Sequence, residues 1–470
     1  MPCCDARFNR SEIGKLIGLR YLITKRVGHR HTASDQNPSF NRRQGQVLSF
    51  LMLLWLSLLG CAASDGPIKV EVVGTPGAYQ LHRGGQPYRP NGAGAVAGSL
   101  TSLKAHGANS IRTWHVGDGQ ILDDAHALEL TVSLCLDVGR ERLGFDYNDQ
   151  AAVAAQLQRF RQQVDRFKNH PALLTWIIGN ELNLEAINPK VWDAVNEIAE
   201  MIHEVDPNHP VTTALAGLGA QDVELLRTRA PALDFYSTQV YGGIMGLDRA
   251  MDELGLTEPL MVTEWGTIGH WEVPSTAWQA PIELTSAAKA AHYVAGYEQV
   301  IKVNPGRIIG AYAFLWGQKQ ERTPTWYGTL METGDRTEAA DALQYIWQGD
   351  WPSNRAPNVG LIRLAGQTAN KSVVGLAGTR LQADVVALDA ENGALTYRWT
   401  VRPESKAKEV GGDPEVVPAP VPNLISLPSD AKVAVLMPSQ PGAYRLFVEV
   451  LDDAGGVGHA NLPFYVREKD

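Results

Sequence analysis

The chain has 470 residues, of which 44% are hydrophobic and 20% charged, proportions typical of a folded globular protein rather than a disordered one. Its formal net charge of -9 argues against nucleic acid as a partner, because nucleic acid is bound through clustered Lys and Arg side chains. The four cysteines provide neither a disulfide framework nor a zinc ligand set, and we expect no metal and no cofactor. The length fits two folded units.

A basic segment and a short apolar run precede any recognisable domain. The run Val47–Leu59 follows Arg42 and Arg43 and is succeeded by Gly and then Cys61. It is too short to span a bilayer comfortably, and the pattern resembles a bacterial lipoprotein signal whose cleavage leaves a lipidated Cys61. We therefore interpret residues 1–61 as an extension and signal, and we expect an exported protein that a lipid anchors to a membrane of the bacterial cell envelope. An ordinary signal peptide or a short uncleaved anchor is the alternative.

Residues 62–90 are predicted to form a linker and a short β-hairpin. Beyond them, short apolar strands alternate with amphipathic helices, a pattern typical of βαβ units. The predicted strands are Tyr88–Gly94, Asn109–Trp114, Thr131–Asp137, Leu174–Asn180, Val211–Ala214, Asp234–Tyr241, Leu260–Glu264 and Ile308–Trp316. Eight parallel strands close a barrel, so we predict an α/β fold, a (β/α)8 TIM barrel, over residues 91–355. An open doubly wound sheet is the alternative, but no Gly-rich phosphate turn follows the first strands.

The helical pattern ends at the proline-containing segment 351–357, and only strand patterns follow it. Turn residues separate four predicted strands, namely Leu381–Ala387, Leu395–Val401, Lys432–Leu436 and Tyr444–Leu451. We predict a linker and a small all-β sandwich over residues 356–470. Segments 389–399 and 442–452 resemble immunoglobulin-like modules of the polycystic-kidney-disease type.

Two glutamates end predicted barrel strands. Glu181 follows Trp-Ile-Ile-Gly-Asn at the end of the fourth strand, and Glu264 stands in Met-Val-Thr-Glu-Trp-Gly at the end of the seventh. The carboxyl ends of barrel strands share one mouth, and glycoside hydrolysis needs two carboxyl groups on either side of the scissile bond. The pair is therefore the candidate catalytic centre. Surface glutamates that interact with helix dipoles are the alternative.

These motifs carry a family resemblance. Gly-Asn-Glu181 and Thr-Glu264-Trp-Gly resemble the retaining glycoside hydrolases of the four/seven barrel clan, and within it the barrel domain of family 2 enzymes. The resemblance covers about residues 67–355, with only a short hairpin where full-length family 2 enzymes have large β-sandwich modules. It implies that Glu181 is the general acid/base and Glu264 the nucleophile. The expected reaction is cleavage of a β-glycosidic bond in an oligo- or polysaccharide through a covalent glycosyl-enzyme intermediate.

The same resemblance implies further contacts around the two glutamates. Arg112 is expected to bond the nucleophile and Asn180 the sugar 2-hydroxyl, while Tyr241 contacts the nucleophile and Trp316 provides a stacking floor. Other residues expected to line sugar subsites are Trp265, His115, Gln318 and Trp326. Core packing, a turn or a loop ion pair is the structural alternative for each of these residues.

Two other functions use the same features. A transglycosylase would resolve the same covalent intermediate with a sugar hydroxyl instead of water. A non-catalytic surface lipoprotein would only bind glycans, but a pure binder has no need for the charge arrangement of two glutamates with Asn180 and Arg112.

Overall fold

The computed structural model describes residues 66–95, 98–408 and 411–469. The predicted signal and Cys61 lie outside these described residues. Within these ranges, no helix is long and apolar enough to cross a membrane.

A small antiparallel sheet precedes the barrel. It contains three strands, β1 (Val70–Val73), β2 (Gln80–Arg83) and β3 (Gln86–Tyr88). Tyr88, which was predicted to begin the first barrel strand, instead pairs with Leu81 of this sheet. Val70 and Leu81 pack against Leu174, Met261 and other residues at the beginnings of barrel strands. The sheet therefore covers the amino-terminal end of the barrel and leaves the opposite mouth open.

Eight parallel strands follow and form a closed barrel in chain order. They are β4 (Asn91–Ala95), β5 (Ser110–Arg112), β6 (Thr131–Leu136), β7 (Leu173–Asn180), β8 (Val211–Ala216), β9 (Tyr236–Val240), β10 (Leu260–Trp265) and β11 (Ile308–Trp316). Strand β11 pairs with β4, and this pairing closes the ring. Every residue of β7, β10 and β11 is buried, because the barrel interior covers one face and helices the other. The predicted (β/α)8 barrel is confirmed, and the open sheet is excluded.

Helices surround the barrel. The α-helices of the described residues are α1 (Leu100–Ala105), α2 (Gln120–Ala127), α3 (Gln150–Phe167), α4 (Lys190–Val205), α5 (Ala220–Arg229), α6 (Leu247–Glu253), α7 (Ser286–Gly296) and α8 (Glu338–Gln348). Helix α3 begins after Asp149, whose side chain accepts hydrogen bonds from the amides of Ala151 and Ala152. Helix α4 buries apolar side chains at helical spacing, among them Val191, Val195, Ile198 and Ile202.

Two further sheets form the carboxy-terminal sandwich. Their strands are β12 (Arg336–Thr337), β13 (Asn358–Leu364), β14 (Val374–Leu376), β15 (Arg380–Leu388), β16 (Thr396–Pro403), β17 (Lys432–Leu436), β18 (Gly442–Leu451) and β19 (Gly456–Arg467). One sheet has the order β12-β19-β18-β16, with β14 also paired to β19, and the other has the order β13-β15-β17. Val359, Trp399, Val435 and Phe464 share one core between the sheets, which confirms the predicted sandwich.

The barrel and the sandwich are joined through shared structure. Strand β12 precedes α8 in the last connection of the barrel, yet it pairs in parallel with β19 of the sandwich. The segment predicted as a linker is bound to the same region: Arg336 Nη2 donates to Asn354 O at 2.6 Å, and Ala356 N donates to Asp341 Oδ2 at 2.6 Å. The sandwich is thus continuous with the side of the barrel that carries β11 and α8.

Candidate active site

The two glutamates lie in one pocket at the carboxyl end of the barrel. Glu181 directly follows β7, the fourth barrel strand, and Glu264 is the penultimate residue of β10, the seventh. Both line a cavity of about 1310 Å³. A cavity of this size at this end of a barrel is large enough for several linked sugar rings, and it is the usual position of a TIM-barrel active site.

Three donors hold the carboxylate of Glu264. Arg112 Nη1 donates to Oε1 at 2.5 Å, Trp114 Nε1 donates to the same oxygen at 2.8 Å, and the Tyr241 hydroxyl donates to Oε2 at 2.6 Å. Glu264 is 4% exposed and Arg112 is fully buried, so water screens this ion pair little. The arrangement fixes both carboxylate oxygens and stabilises their negative charge.

Arg112 also connects Glu264 to the end of β7. Its Nη2 donates to Asn180 Oδ1 at 2.8 Å, and Gln239 Nε2 donates to the same oxygen at 2.5 Å. Because the amide oxygen of Asn180 receives both bonds, its NH2 group is the part that can donate to a ligand in the pocket. The guanidinium carbon of Arg112 lies 4.6 Å from the ring centroid of Trp114, which adds a cation–π contact.

Glu181 occupies a different environment. Its backbone has φ +52°, in the left-handed region, and its amide donates to Ala214 O at 2.8 Å. Burial, followed by the negative charge of Glu264, raises the pKa of Glu181 to about 8, and this outweighs the opposing effect of Arg112 and Arg140. A carboxyl group with this pKa carries a proton at neutral pH.

A third carboxylate faces the pocket from the loop after β11. Glu321 Oε2 accepts from Lys319 Nζ at 2.8 Å, and Oε1 lies 3.5 Å from His270 Nε2. Burial raises the pKa of Glu321, but the hydrogen bond from His270 and the charge of Lys319 outweigh burial and lower it below its ordinary value. Glu321 is therefore ionised near Glu181 and adds to the negative field that keeps Glu181 protonated.

The structure brings together five of the residues singled out from the sequence: Glu181, Glu264, Arg112, Asn180 and Tyr241. His115 also lines the pocket, where it is exposed. Four further residues belong to the site but were not predicted from the sequence, namely Trp114, Gln239, Lys319 and Glu321.

Trp316 does not provide the floor of the pocket. The side chain is fully buried and lies outside the pocket lining. Its Nε1 donates to Ser99 O at 3.1 Å, and its ring meets the ring of His106 edge-on at a centroid distance of 4.9 Å. The stacking role expected for Trp316 is wrong, because the ring packs behind the pocket wall. Phe314, two residues earlier in β11, lines the pocket in its place.

Three other expected sugar contacts also lie away from the lining of the pocket. Trp265 packs against Tyr293 at a centroid distance of 5.3 Å, and Trp326 Nε1 donates to Ile268 O at 3.0 Å; both indole side chains are buried. Gln318 Nε2 donates to Pro324 O at 2.9 Å and so stabilises its own loop. These side chains support the wall and do not face the substrate space. Trp271 is 60% exposed and lines the pocket, so its ring can contact a sugar as was expected of Trp265 and Trp326.

Comparison with known proteins agrees with this geometry. Residues 95–267 match the family described as glycosyl hydrolases family 2, TIM barrel domain. The matched range contains both Glu181 and Glu264, so the part of the barrel that carries the two carboxyl groups is similar to the barrel domain of that family. Among curated proteins, none matches the sequence.

Solved structures of β-glucuronidases match this chain at low sequence identity. Bacteroides uniformis beta-glucuronidase 2, covalently bound to cyclophellitol-6-carboxylate aziridine, is 14% identical with a TM-score of 0.48, over 85% of this chain and 48% of that one. A β-D-glucuronidase of Dictyoglomus thermophilum is 17% identical with a TM-score of 0.47, over 59% of this chain and 53% of that one. The chain therefore spans about half the length of these structures.

Among the described residues, no cluster of three or more His, Cys, Asp or Glu side chains is arranged to hold a metal ion.

Proposed function

We propose that this protein is a retaining β-glycosidase that acts on oligo- or polysaccharides, with Glu264 as nucleophile and Glu181 as general acid/base. The observation that supports this best is the contrast between two carboxyl groups in one pocket. Three donors bind the carboxylate of Glu264, whereas burial and the neighbouring negative charge keep a proton on Glu181. Two titratable groups with opposite environments divide into base and acid roles.

In the first step, a carboxylate oxygen of Glu264 attacks the anomeric carbon of the bound sugar. The bond to the leaving-group oxygen breaks as Glu181 gives that oxygen its proton, and a glycosyl ester of Glu264 forms. Arg112, Trp114 and Tyr241 hold the attacking carboxylate in position while its charge moves onto the sugar. Because these donors are already in place in the free site, they need little reorganisation during the reaction.

In the second step, Glu181 acts as a base. It removes a proton from water, the hydroxide oxygen bonds to the anomeric carbon, and the ester bond to Glu264 breaks. Both steps pass through a transition state with positive charge on the ring, in which a hydrogen bond to the 2-hydroxyl strengthens. The NH2 group of Asn180 is the donor we assign to that hydroxyl, since Arg112 and Gln239 orient its amide oxygen away.

We further propose that the protein is exported and anchored by lipid at Cys61, and that its sandwich is a polycystic-kidney-disease-type module. The support for the anchor is the apolar run that ends before Gly60 and Cys61. In a host that expresses the full chain, radiolabelled palmitate should enter the wild-type protein and not the Cys61→Ser variant. Equal labelling of both would contradict the anchor.

The mechanism is tested by the stereochemistry of the first product. Aryl β-glycosides of glucose, galactose, mannose, xylose and glucuronic acid are offered to the enzyme, and the anomer first released is followed by proton NMR. Retention predicts that the β-anomer appears first and mutarotates later. First appearance of the α-anomer would mean inversion and would overturn the assignment of Glu264 as nucleophile. Glu264→Gln should lose turnover, whereas Glu253→Gln, on the exposed end of α6, serves as the matched control.

A further inference from the structure

A segment of the sandwich reaches the candidate active site. It belongs to the connection between β16 and β17, residues 404–431. Connections longer than roughly 12–15 residues are uncommon and are often functional. Residues Gly411, Gly412, Asp413 and Pro414 of this connection line the same pocket as Glu181 and Glu264. We call residues 411–414 the sandwich segment.

One barrel loop holds the sandwich segment through a bidentate ion pair. Arg142 follows β6, and its Nη1 and Nη2 donate to Asp413 Oδ2 at 2.6 Å and Oδ1 at 3.0 Å. The Arg142 side chain is 5% exposed and the Asp413 side chain 23% exposed, so the pair is largely protected from solvent. A bidentate pair in this environment fixes position better than an exposed surface pair does.

A second barrel loop holds the segment from the other side. Lys319 Nζ donates to Gly412 O at 2.7 Å and to Glu321 Oε2 at 2.8 Å. Next to the segment, Glu415 Oε2 accepts from the backbone amide of Arg322 at 2.8 Å. The sandwich segment is therefore connected directly to the loop that carries the pocket carboxylate Glu321.

Two glycines permit this close approach. Gly411 has φ +61° and Gly412 has φ +73°, and both values lie in the left-handed region. A Cβ atom on Gly411 would lie 2.9 Å from Arg142 Nη2 and 2.9 Å from Leu184 Cδ2, and one on Gly412 would lie 2.6 Å from Lys319 Nζ. A side chain at either position would strain the left-handed backbone and displace Arg142 or Lys319 from the contacts that hold the segment.

The position of the segment indicates which part of a substrate it meets. Leu184, which a Cβ atom on Gly411 would meet and which lines the same pocket, is three residues after Glu181, so the segment lies beside the turn that carries Glu181. A general acid protonates the oxygen of the leaving group, and the leaving group therefore lies on the side of Glu181. Asp413 presents carboxylate oxygens there, and each can accept a hydrogen bond from a hydroxyl in addition to the bonds from Arg142.

From this arrangement we propose that the sandwich segment forms the wall of the leaving-group subsite and that Asp413 binds hydroxyls of a leaving sugar. The inference rests on the proposed glycosidase function and narrows its substrate class. The preferred substrate is a β-linked oligosaccharide whose leaving group is itself a sugar, rather than a glycoside of a small apolar alcohol. The sandwich then determines specificity as part of the active site.

The first test compares two substrates that share one non-reducing sugar, taken as the sugar that the wild-type enzyme cleaves best in the aryl glycoside panel. One is its 4-nitrophenyl β-glycoside and the other a β-linked disaccharide. For Asp413→Asn, the ratio of kcat/KM for the disaccharide to kcat/KM for the aryl glycoside should fall about tenfold, the loss expected for one hydrogen bond to a charged group. Gly412→Ala should lower the same ratio by displacing the segment.

Asp384→Asn is the matched control. Asp384 belongs to an ion pair of the sandwich with Arg363, at 3.1 Å with side chains 29% and 36% exposed, outside the pocket lining. The same charge change in the same domain should leave the ratio at its wild-type value. Thermal unfolding of every variant establishes that the fold is intact. An unchanged ratio in folded Asp413→Asn and Gly412→Ala would overturn the proposal.

A binding measurement separates this inference from the proposed activity. In the Glu264→Gln background, calorimetric affinity for the disaccharide should fall about tenfold with Asp413→Asn, while affinity for the monosaccharide should stay the same. If the wild-type protein cleaves no substrate but Asp413→Asn lowers the affinity for the disaccharide alone, the proposed glycosidase activity is wrong and the leaving-group subsite is supported. If the enzyme cleaves substrates but the variants match wild type in both assays, the subsite is wrong. If no sugar is cleaved or bound, both proposals fail.

Discussion

The hydroxyl of Tyr241 donates to Glu264 Oε2 across 2.6 Å, opposite the oxygen that receives Arg112 and Trp114. Burial, and after it the negative charge of Glu264, raises the pKa of Tyr241 well above its ordinary value. The hydroxyl therefore stays protonated and can only donate to this carboxylate. Its single hydrogen is used in this bond, so Tyr241 positions the carboxylate of the proposed nucleophile Glu264.

We predict that Tyr241→Phe lowers kcat about a hundredfold with little change in KM, because one preorganised donor to the reacting carboxylate is lost. Steady-state kinetics on an aryl β-glycoside measure this effect. Tyr236→Phe, at the other end of β9 and away from the pocket lining, is the matched control and should stay within about twofold of wild type. Equal effects of the two substitutions would contradict the role of Tyr241.

The raised pKa of Glu181 predicts the alkaline limit of activity. Because the pKa of Glu181 is raised to about 8, kcat/KM should fall as the pH rises through about 8 and the acid loses its proton. In Glu181→Gln this limb should disappear, and the remaining activity should depend steeply on how good the leaving group is. An alkaline limb that persists in Glu181→Gln would show that another group is the acid.

The same shift affects stability with a definite sign. The pKa of Glu181 is raised from its ordinary value of 4.5 to about 8, so the folded state binds this proton more tightly than the unfolded state. The free energy of unfolding should therefore decrease as the pH rises from about 4.5 to 8 by the contribution of this group. Urea unfolding of wild type and Glu181→Gln across this range measures how the two free energies of unfolding differ. The difference between them should grow as the pH rises from about 4.5 to 8 and should vanish below pH 4.5.

Trp271 and Trp316 should respond differently to removal. Trp271→Ala is expected to raise KM for an oligosaccharide several-fold with little change in stability, because the ring is 60% exposed at the pocket. Trp316→Ala should instead lower the free energy of unfolding by about 3–5 kcal/mol, because it removes a fully buried ring. Kinetics and urea unfolding of both variants check this; a KM effect in a stably folded Trp316→Ala would restore its sugar-binding role.

A buried ion pair links the barrel to the sandwich and predicts a single unfolding transition. Lys289 Nζ donates to Glu283 Oε1 at 2.5 Å, and Asn461 of β19 donates to Glu283 Oε2 at 2.5 Å, with both ionised side chains at most 3% exposed. Glu283→Ala leaves the Lys289 charge buried without its partner, which should cost about 3–5 kcal/mol. Asp193→Ala, in the exposed pair with Arg229, should cost less than about 1 kcal/mol.

Calorimetry is the measurement for this junction. The wild-type enzyme should show one transition, since β12 of the barrel is part of a sandwich sheet and Glu283 bonds to β19. In Glu283→Ala that transition should move to lower temperature. Two separate transitions in the wild-type protein would contradict the coupling of the two domains.

The alternating strands and helices of the barrel could be predicted from the sequence. Strands β7 and β10 are buried, largely apolar runs with a glutamate at their carboxyl ends, directly after β7 and one residue before the end of β10. Both their position and their chemistry can therefore be predicted from residues next to each other in the chain. Strand β19 was missed, because nearly all its residues are buried on both faces and Pro463 interrupts its pattern, which removes the alternation that indicates a strand.

The site residues that were missed depend on contacts distant in sequence. Nothing near Asp413 indicates that it meets Arg142, because the pair forms only when a loop of the sandwich crosses the barrel mouth. The direction of Trp316 was likewise not predictable, since its residue type suits both a sugar floor and a core, and only its packing against His106 and Ser99 decides between them. Motifs located the carboxylates, and three-dimensional packing determined their surroundings.

The most direct test of the account is to trap the proposed nucleophile. A 2-deoxy-2-fluoro β-glycoside with a good leaving group, built on the sugar that the enzyme prefers, should inactivate it by forming a stable glycosyl ester. Fluorine at C2 destabilises the positively charged transition states of both steps, and the good leaving group speeds only the first. Peptide mass spectrometry should then find one sugar on Glu264, and none in the Glu264→Gln variant. A label on a different residue, or full turnover of substrate by Glu264→Gln, would contradict the account.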